Sequence, residues 1–389
     1  MSQLLESRWS ETKEALLEGL QGNKRSVMAT TLENTRKYLS ESATAGATSA
    51  GNVATLNRVI LPVIRRVMPT VIANELVGVQ PLTGPVGQIH TLRVRYSDTF
   101  AGTTGGATTA GEEALSPFKI AEGYSGTTTG KPASTAALEG VAGNKLSIQI
   151  LKQTVEAKTR KLSARWTFEA AQDAQAQQGI DIEAEIMAAL AQEITAEIDQ
   201  EVLRSLASLS STVLTYDQAA VSGTATFVGD EHAALAVQIN RAANLIAQRT
   251  RRGAGNWAVV SPTTLTLLQS ATTSAFARTT EGTFEAPTNT KFVGTLNSAM
   301  KVYVNTYAEN DNVLVGYKGG SESDAAAFYC PYIPLMSSGV VLDPATFEPV
   351  VSFMTRYGYV ELTNTASSLG NAADYLAKVA VTSANLRFA

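Results

Sequence analysis

Between Ile182 and Leu206 the chain places an aliphatic residue at every fourth position without a miss: Ile182, Ile186, Leu190, Ile194, Ile198, Val202 and Leu206. No Gly or Pro falls between them, so the pattern predicts one unbroken helix over about 182–209. Asp181 stands ahead of it as an N-cap, and Glu183 and Glu185 favour the positive end of the helix dipole. At ~1.5 Å per residue the helix is roughly 40 Å long. A spacing of four advances the stripe by about 40° per step, so six steps carry it through most of a circle. A coiled coil needs a mean spacing of ~3.5 and a straight seam. This helix is therefore no coiled coil, and its two ends must face different surroundings. It also carries Asp181, Glu183, Glu185, Glu193, Glu197, Asp199 and Glu201 against a single base, Arg204. Such a row is most simply a solvated face. The sharper reading is an interface with basic segments of neighbouring subunits.

Composition narrows the function classes. The 389 residues are 17% charged, against ~25% for an ordinary soluble domain. Much of the polar surface must then be Ser, Thr, Asn, Gln and backbone, which suits surfaces that end up against other subunits. At ~150 residues per domain the length suggests two or three domains or one composite. Cys330 is the one cysteine, which excludes an intrachain disulfide framework and a cysteine-based zinc site. His90 and His232 are far apart and show no metal-binding spacing. A net charge of −4 argues against a dedicated nucleic-acid binder. No apolar run approaches the ~18 residues of a membrane span, and Met1-Ser-Gln-Leu-Leu-Glu6 does not begin a signal peptide. The expectation is a large soluble, cytoplasmic chain.

The rest of the chain divides by composition. Residues 1–41 are charged and helical, with Leu4, Leu5, Trp9, Leu16, Leu17 and Leu20 at helical spacing and a second helix over Lys24–Leu39. They read as a small helical hairpin or as a separable pro-segment. From Ser42 to Gly51 the chain is small, uncharged and linker-like. Val59, Ile60, Val63, Ile64 and Val67 form a helical stripe limited by Pro62 and Pro69, interrupted by Arg65 and Arg66. Gln88–Tyr96 alternates as a strand. Residues 97–147 are rich in Gly and Thr and offer little for a core. They read as an extended hairpin whose buried face a neighbour supplies, or as a disordered insertion. Residues 145–168 alternate again, with Lys158, Arg160, Lys161 and Arg165 on polar positions, and a short helix follows to about Gln177. From 217 to 348 helices and strands mix. Asp230 caps a helix over 231–250, Trp257–Val260 is a buried strand, and Ser261-Pro262 opens the next helix. Lys301–Thr306, Asn312–Tyr317, Ala325–Cys330 and Val350–Tyr357 read as strands.

No constellation carries catalytic chemistry. Gly253-Ala-Gly255 and Gly316-Tyr-Lys-Gly-Gly320 lack the spacing and end residues of a phosphate or dinucleotide loop. Arg249, Arg251 and Arg252 at a helix end are dipole compensation more simply than a phosphate site. Cys330 lies in Phe328-Tyr-Cys-Pro-Tyr332 and reads as a small buried hydrophobe. The sequence calls for no catalytic residue, cofactor or metal.

Several strings carry a resemblance. They are Val63-Ile-Arg-Arg-Val-Met-Pro69, Gly78-Val-Gln-Pro81, Gly84-Pro-Val-Gly-Gln88, Val155-Glu-Ala-Lys-Thr-Arg-Lys-Leu162, Arg249-Thr-Arg-Arg-Gly-Ala-Gly-Asn256, Val315-Gly-Tyr-Lys-Gly319, Tyr329-Cys-Pro-Tyr332 and Thr355-Arg-Tyr-Gly358. In this order the chain resembles the major capsid proteins of T-even-type tailed phages, and it lacks the inserted domain of the best-known members. The resemblance implies an α+β, Hong Kong 97-like capsid fold. Its parts would be a pro-segment (1–41), an N-terminal arm (42–76), a peripheral domain (77–96, 156–216 with a spine helix, 349–389), an extended loop (97–155) and an axial domain (217–348). It implies hexamers and pentamers of the chain in an icosahedral virion shell around double-stranded DNA bound without sequence specificity. Scaffold, portal and maturation protease would be partners during assembly. Family members lose their pro-segment after Leu/Ile-x-Glu, and Leu39-Ser-Glu41 offers that bond before Ser42. Arg65, Arg66, Lys158, Arg160, Lys161, Glu193, Glu197 and Glu201 are the candidate inter-subunit contacts. A cellular encapsulin-type compartment protein shares the fold and is the alternative.

Overall fold

The computed structural model describes Trp9, Lys13, Glu14, Leu16, Leu17 and residues 20–45, 72–103, 106–114, 121–178, 181–210, 213–221, 228–250, 252–271, 276–278, 291–297, 299–322, 324–346, 348–363 and 371–386. In chain order the main elements begin with α1 (Gly22–Ala45), α2 (Ala73–Leu76), β1 (Gly78–Val79), β2 (Val86–Tyr96), β3 (Leu146–Glu156) and β4 (Lys158–Arg165). Then come α3 (Phe168–Gln178), α4 (Ile182–Leu209), β5 (Val213–Tyr216), α5 (Val228–Thr250), β6 (Trp257–Val260), α6 (Pro262–Ser270) and β7 (Phe276–Arg278). The chain closes with β8 (Lys291–Leu296), β9 (Met300–Val304), β10 (Val313–Gly316), β11 (Ala327–Ser337), β12 (Val341–Leu342), β13 (Pro349–Glu361) and β14 (Leu376–Val381). Helices and strands are neither segregated nor regularly alternating, so the class is α+β.

The chain divides into two compact units. The first comprises Met1–Gly87, Thr154–Leu203 and Phe328–Val360. Its five-stranded sheet has the order β1-β11-β13-β12, with β4 also paired to β13. The strand β13 buries Val351, Phe353, Thr355 and Tyr357 and leaves the residues between them half-exposed, the period of a one-sided sheet face. By contrast β11 is buried along nearly its whole length. The long helix α4 begins as its sequence dictates: Asp181 Oδ1 accepts the Glu183 N–H at 3.1 Å. Burial along it is uneven. Between Ile182 and Ala189 no residue is buried, whereas Leu190, Ile194, Ile198 and Val202 are. A second buried row, Ala191, Thr195, Asp199 and Leu203, runs beside the first.

The second unit comprises Gln88–Gln153, Arg204–Ala327 and Glu361–Ala389. Its seven-stranded mixed sheet has the order β5-β14-β10-β6-β9-β8-β7. All four residues of β6 are buried, as expected for a strand near the centre of a covered sheet. Leu235, Ile239, Ala242, Ala243 and Ile246 on α5 join β6, β9, β10 and β14 in one apolar cluster with Leu267 and Leu268 of α6. Ser261 caps α6, accepting the Thr264 N–H at 3.1 Å, with Pro262 in the first turn.

The two glycine-bearing loops meet here. Asn256 donates from Nδ2 to the Lys318 carbonyl at 2.6 Å and accepts the Lys318 N–H at 3.0 Å. Gly316 pairs in register with Trp257, and a Cβ on it would come within 2.1 Å of the indole ring. At Gly253, Gly255 and Gly319 too a Cβ would crowd its neighbours, so these four glycines serve close packing.

Several expectations shift. The helix α5 starts at Val228, so Asp230 lies inside its first turn and not ahead of it. Helix α1 continues past Leu39 to Ala45, because Ser, Ala and Thr do not stop a helix and no Gly intervenes before Gly46. The axial range 217–348 gives up 328–348 to the first unit, since β11 pairs with β1 in parallel. The tail from Glu361 joins the second unit, since β14 pairs with β5 and β10. The 59–67 stripe lies outside the described residues.

Gly316→Ala is expected to lower stability by about 1–3 kcal/mol through overpacking against Trp257. Equilibrium denaturation of the purified variant checks this, and an unchanged midpoint would contradict the packing role.

Candidate assembly elements

The acidic row of α4 is built from residues one turn apart, so consecutive carboxylates point the same way. In β4, alternation turns Arg160 toward them. Its Nη1 donates to Glu197 Oε2 at 2.7 Å, its Nη2 to Glu201 Oε2 at 2.6 Å, and its Nε to the Tyr357 hydroxyl at 2.6 Å. The Tyr357 hydroxyl in turn donates to Glu201. Burial pushes the Glu201 carboxyl up, but the Tyr357 and Arg160 donors and the Lys158 charge hold it below its usual range. Burial also raises the Tyr357 hydroxyl, reinforced by Glu201. At this degree of exposure each ion pair contributes only ~0–1 kcal/mol, so the knot fixes geometry more than it adds stability. Arg160, Glu197 and Glu201 thus meet within one chain. Glu193, Lys158 and Lys161 are exposed. Arg65 and Arg66 lie outside the described residues.

Asp199 departs from the row. It is fully buried, its Oδ1 accepts the Ile72 N–H at 2.8 Å, and its Oδ2 has no hydrogen-bond partner among the described residues. Burial pushes its carboxyl up to about 7, against the downward pull of the Ile72 hydrogen bond. The buried Tyr329 hydroxyl lies within reach of its charge.

The Gly/Thr-rich stretch is not empty of core. Tyr96, Phe100, Ala114, Ala121 and Tyr124 form a small apolar cluster, with the Tyr96 and Tyr124 rings 4.5 Å apart. The Tyr124 hydroxyl donates to the Lys145 carbonyl at 2.6 Å, and Asn144 Nδ2 donates to the Tyr124 carbonyl at 2.6 Å. Asp98 Oδ2 accepts the Lys145 N–H at 2.7 Å. Gly123, at φ 89°, fits a turn that a side chain would strain. Beyond this cluster β2 and β3 form a two-stranded ribbon. Leu146, Ile148 and Ile150 of β3 share one face and are 52%, 70% and 67% exposed. Two strands alone are marginal in water, and these three side chains form a contiguous exposed apolar row on one of them.

The N-terminal helix is docked. Asn34, almost fully buried, donates from Nδ2 to the Leu82 carbonyl at 2.7 Å and the Tyr332 carbonyl at 2.9 Å. Val27, Met28, Thr31, Leu32 and Thr35 complete the buried face, and Lys24 pairs with Glu75. Leu39, Glu41 and Ser42 all lie within the helical backbone of α1.

Cys330 is buried, which pushes its thiol up to about 12 and keeps it unreactive. His232 is buried against Ser270 Oγ at 2.6 Å, and His90 is exposed on β2. Among the described residues no group of three or more His, Cys, Asp or Glu could hold a metal ion, and no helix is long and apolar enough to cross a membrane.

Two compact units, a long helix buried along only part of its length and an exposed apolar ribbon leave surface uncovered, as a subunit of an assembly would. The family comparison agrees: the family model "Major capsid protein Gp23" matches residues 53–381, and the chain belongs to that family. Curated relatives named "Major capsid protein" include that of Vibrio phage KVP40, 29% identical with 85% of this chain and 82% of the relative covered. That of Salmonella phage ViI is 30% identical, covering 83% and 80%, and that of Enterobacteria phage T4 is 29% identical, covering 82% and 78%. The KVP40 alignment spans 421 positions, more than this whole chain, so that relative carries residues this chain lacks. A solved chain titled Mycobacterium phage Bobi has TM-score 0.46 and 15% identity over 79% of this chain and 89% of that one. The capsid of Myoviridae phage XM1 gives TM-score 0.42 and 10% identity over 79% and 91%.

Asp199→Asn is expected to flatten the pH dependence of stability. A folded-state carboxyl raised to about 7 contributes stability that is full below pH ~4 and is lost as pH rises toward 7, a few kcal/mol in all. The difference in unfolding free energy between variant and parent at pH 4 and pH 8 checks this. An equal pH dependence in both would contradict the burial cost.

Proposed function

We propose that this chain is the shell subunit of a tailed-phage head, assembling as hexamers and pentamers around packaged double-stranded DNA without reading its sequence. The observation that carries the reading beyond family membership is the exposed apolar face Leu146, Ile148 and Ile150 on a ribbon too thin to be stable by itself. In this reading residues 97–155 are the extended loop laid over a neighbouring subunit, α4 is the spine helix, and the seven-stranded unit is the axial domain of a Hong Kong 97-like fold. The half-exposed N-terminal part of α4, with Ile182, Ile186 and Met187, is a second surface for neighbours. Glu193, Lys158 and Lys161 would reach other subunits, while Arg160, Glu197 and Glu201 first brace the chain internally. Arg65 and Arg66 are assigned to the same role in the N-terminal arm. Scaffold, portal and protease are the assembly partners, the host cytoplasm is the site of synthesis, and the subunit performs no catalysis.

Removal of residues 1–41 after Glu41 belongs to the same reading. It is supported by the Leu39-Ser-Glu41 string and by a family match that starts downstream, at residue 53. The family match does not favour the encapsulin alternative.

Deletion of residues 100–140 is expected to leave a folded monomer that cannot assemble. Circular dichroism and electron microscopy of the deletant check this; loss of monomer folding would contradict the loop assignment. Intact-mass measurement on DNA-filled heads is expected to show a subunit beginning at Ser42, and one beginning at Met1 would contradict cleavage at Glu41.

A further inference from the structure

The bond after Glu41 does not lie in an extended linker. It lies in the last turns of α1, a helix of 24 residues. Ser, Thr and Asn fill nine of those 24 positions. These residues offer the backbone competing hydrogen bonds and are weak helix formers. The last turn, Ser42-Ala-Thr-Ala45, carries no basic residue to offset the helix dipole. Free in water, a helix of this length and composition is marginal. What sustains it is docking: the buried face from Val27 to Thr35, and Asn34 in particular.

Asn34 is placed to act as the latch. Its one carboxamide nitrogen serves two backbone carbonyls, those of Leu82 and Tyr332, which come from distant parts of the first unit. The bond to Leu82 is buried and that to Tyr332 part-buried, and both carbonyls lose this donor if the helix lifts, at the cost that attends a polar group left unpaired away from water. Asn34 precedes Glu41 by two helical turns. A peptide bond held in regular helix must open locally before it can be cut, and when opening is fast the rate tracks the open population.

We propose that docking of α1 through Asn34 is a latch that holds the Leu39-Ser-Glu41-Ser42 segment helical and protects the bond after Glu41 until the helix is released from the face formed by Leu82 and Tyr332. The inference rests on the reading of Glu41 as the maturation bond for its biological meaning, but its test does not.

The test uses the unassembled full-length chain and a glutamate-specific endoproteinase, with products followed by intact mass. Cleavage after Glu139, exposed in the hairpin, is the internal reference. Asn34→Ala is expected to speed cleavage after Glu41 about tenfold, equivalent to ~1.4 kcal/mol of opening free energy, with Glu139 unchanged. Thr44→Pro, which breaks the last turn and leaves Asn34 docked, is expected to speed it as well. If Thr44→Pro accelerates cleavage and Asn34→Ala does not, the latch is overturned; if neither does, helical protection itself is overturned. If Asn34→Ala speeds Glu139 equally, the whole chain has loosened and Asn34→Gln decides, because the longer amide keeps its donors but misses both carbonyls. Acceleration by Asn34→Gln confined to Glu41 supports the latch, and none overturns it. A virion subunit that begins at Met1 would remove the maturation reading and leave the measured protection standing, whereas equal rates in parent and variants would remove the latch and leave that reading intact.

Discussion

The first unit depends on one burial event, the seating of the Leu190–Leu203 face of α4. Leu190, Ile194, Ile198, Val202 and Leu203 are buried there. At ~1.5–3 kcal/mol for each fully buried aliphatic side chain, they outweigh every polar contact on the helix. The Arg160–Glu197–Glu201–Tyr357 knot then sets where β4 and β13 stand against α4. A polar network of this kind selects one arrangement among those that burial alone would allow. Asp199 works in the opposite direction. It holds Ile72, the residue that opens α2, at the cost of a buried carboxyl whose second oxygen has no hydrogen-bond partner among the described residues.

The other half of the logic is what the isolated chain leaves uncovered. Single exposed apolar residues are ordinary, but Leu146, Ile148 and Ile150 stand in a row on one face. Here they stand out on a two-stranded ribbon whose base is fixed by the Tyr96–Phe100–Tyr124 cluster. That cluster holds the base of the hairpin, so the ribbon can present a face without a core of its own. A shell subunit suits this combination of two compact units with an apolar face left uncovered.

The parts legible in the sequence are those with a local signal. The helix α4 was readable to its ends because an unbroken period of four follows an Asp cap, and α6 because Ser261-Pro262 marks its start. The strand β6 was readable as a short apolar run beside glycines. The signal fails where pairing is remote. The strand β11 belongs with β1, some 250 residues earlier in the chain, and no local pattern records such a partner. Asp199 reads as one more carboxylate of a solvated row, yet Ala191, Thr195 and Leu203 at the same spacing of four were the available sign of a second buried row. Tyr96 and Tyr124 are separated by glycines and threonines that mask their meeting. The internal pairing of Arg160 with Glu197 and Glu201 was half legible: the carboxylates are one turn apart, but their partner lies on a strand.

The central claim is that the chain's uncovered surfaces exist for copies of itself. Electron microscopy of the purified full-length protein, with sedimentation velocity over a concentration series, tests it most directly. Capsomers and closed shells are expected, in a proportion that rises with concentration. A monodisperse monomer under every condition would contradict it.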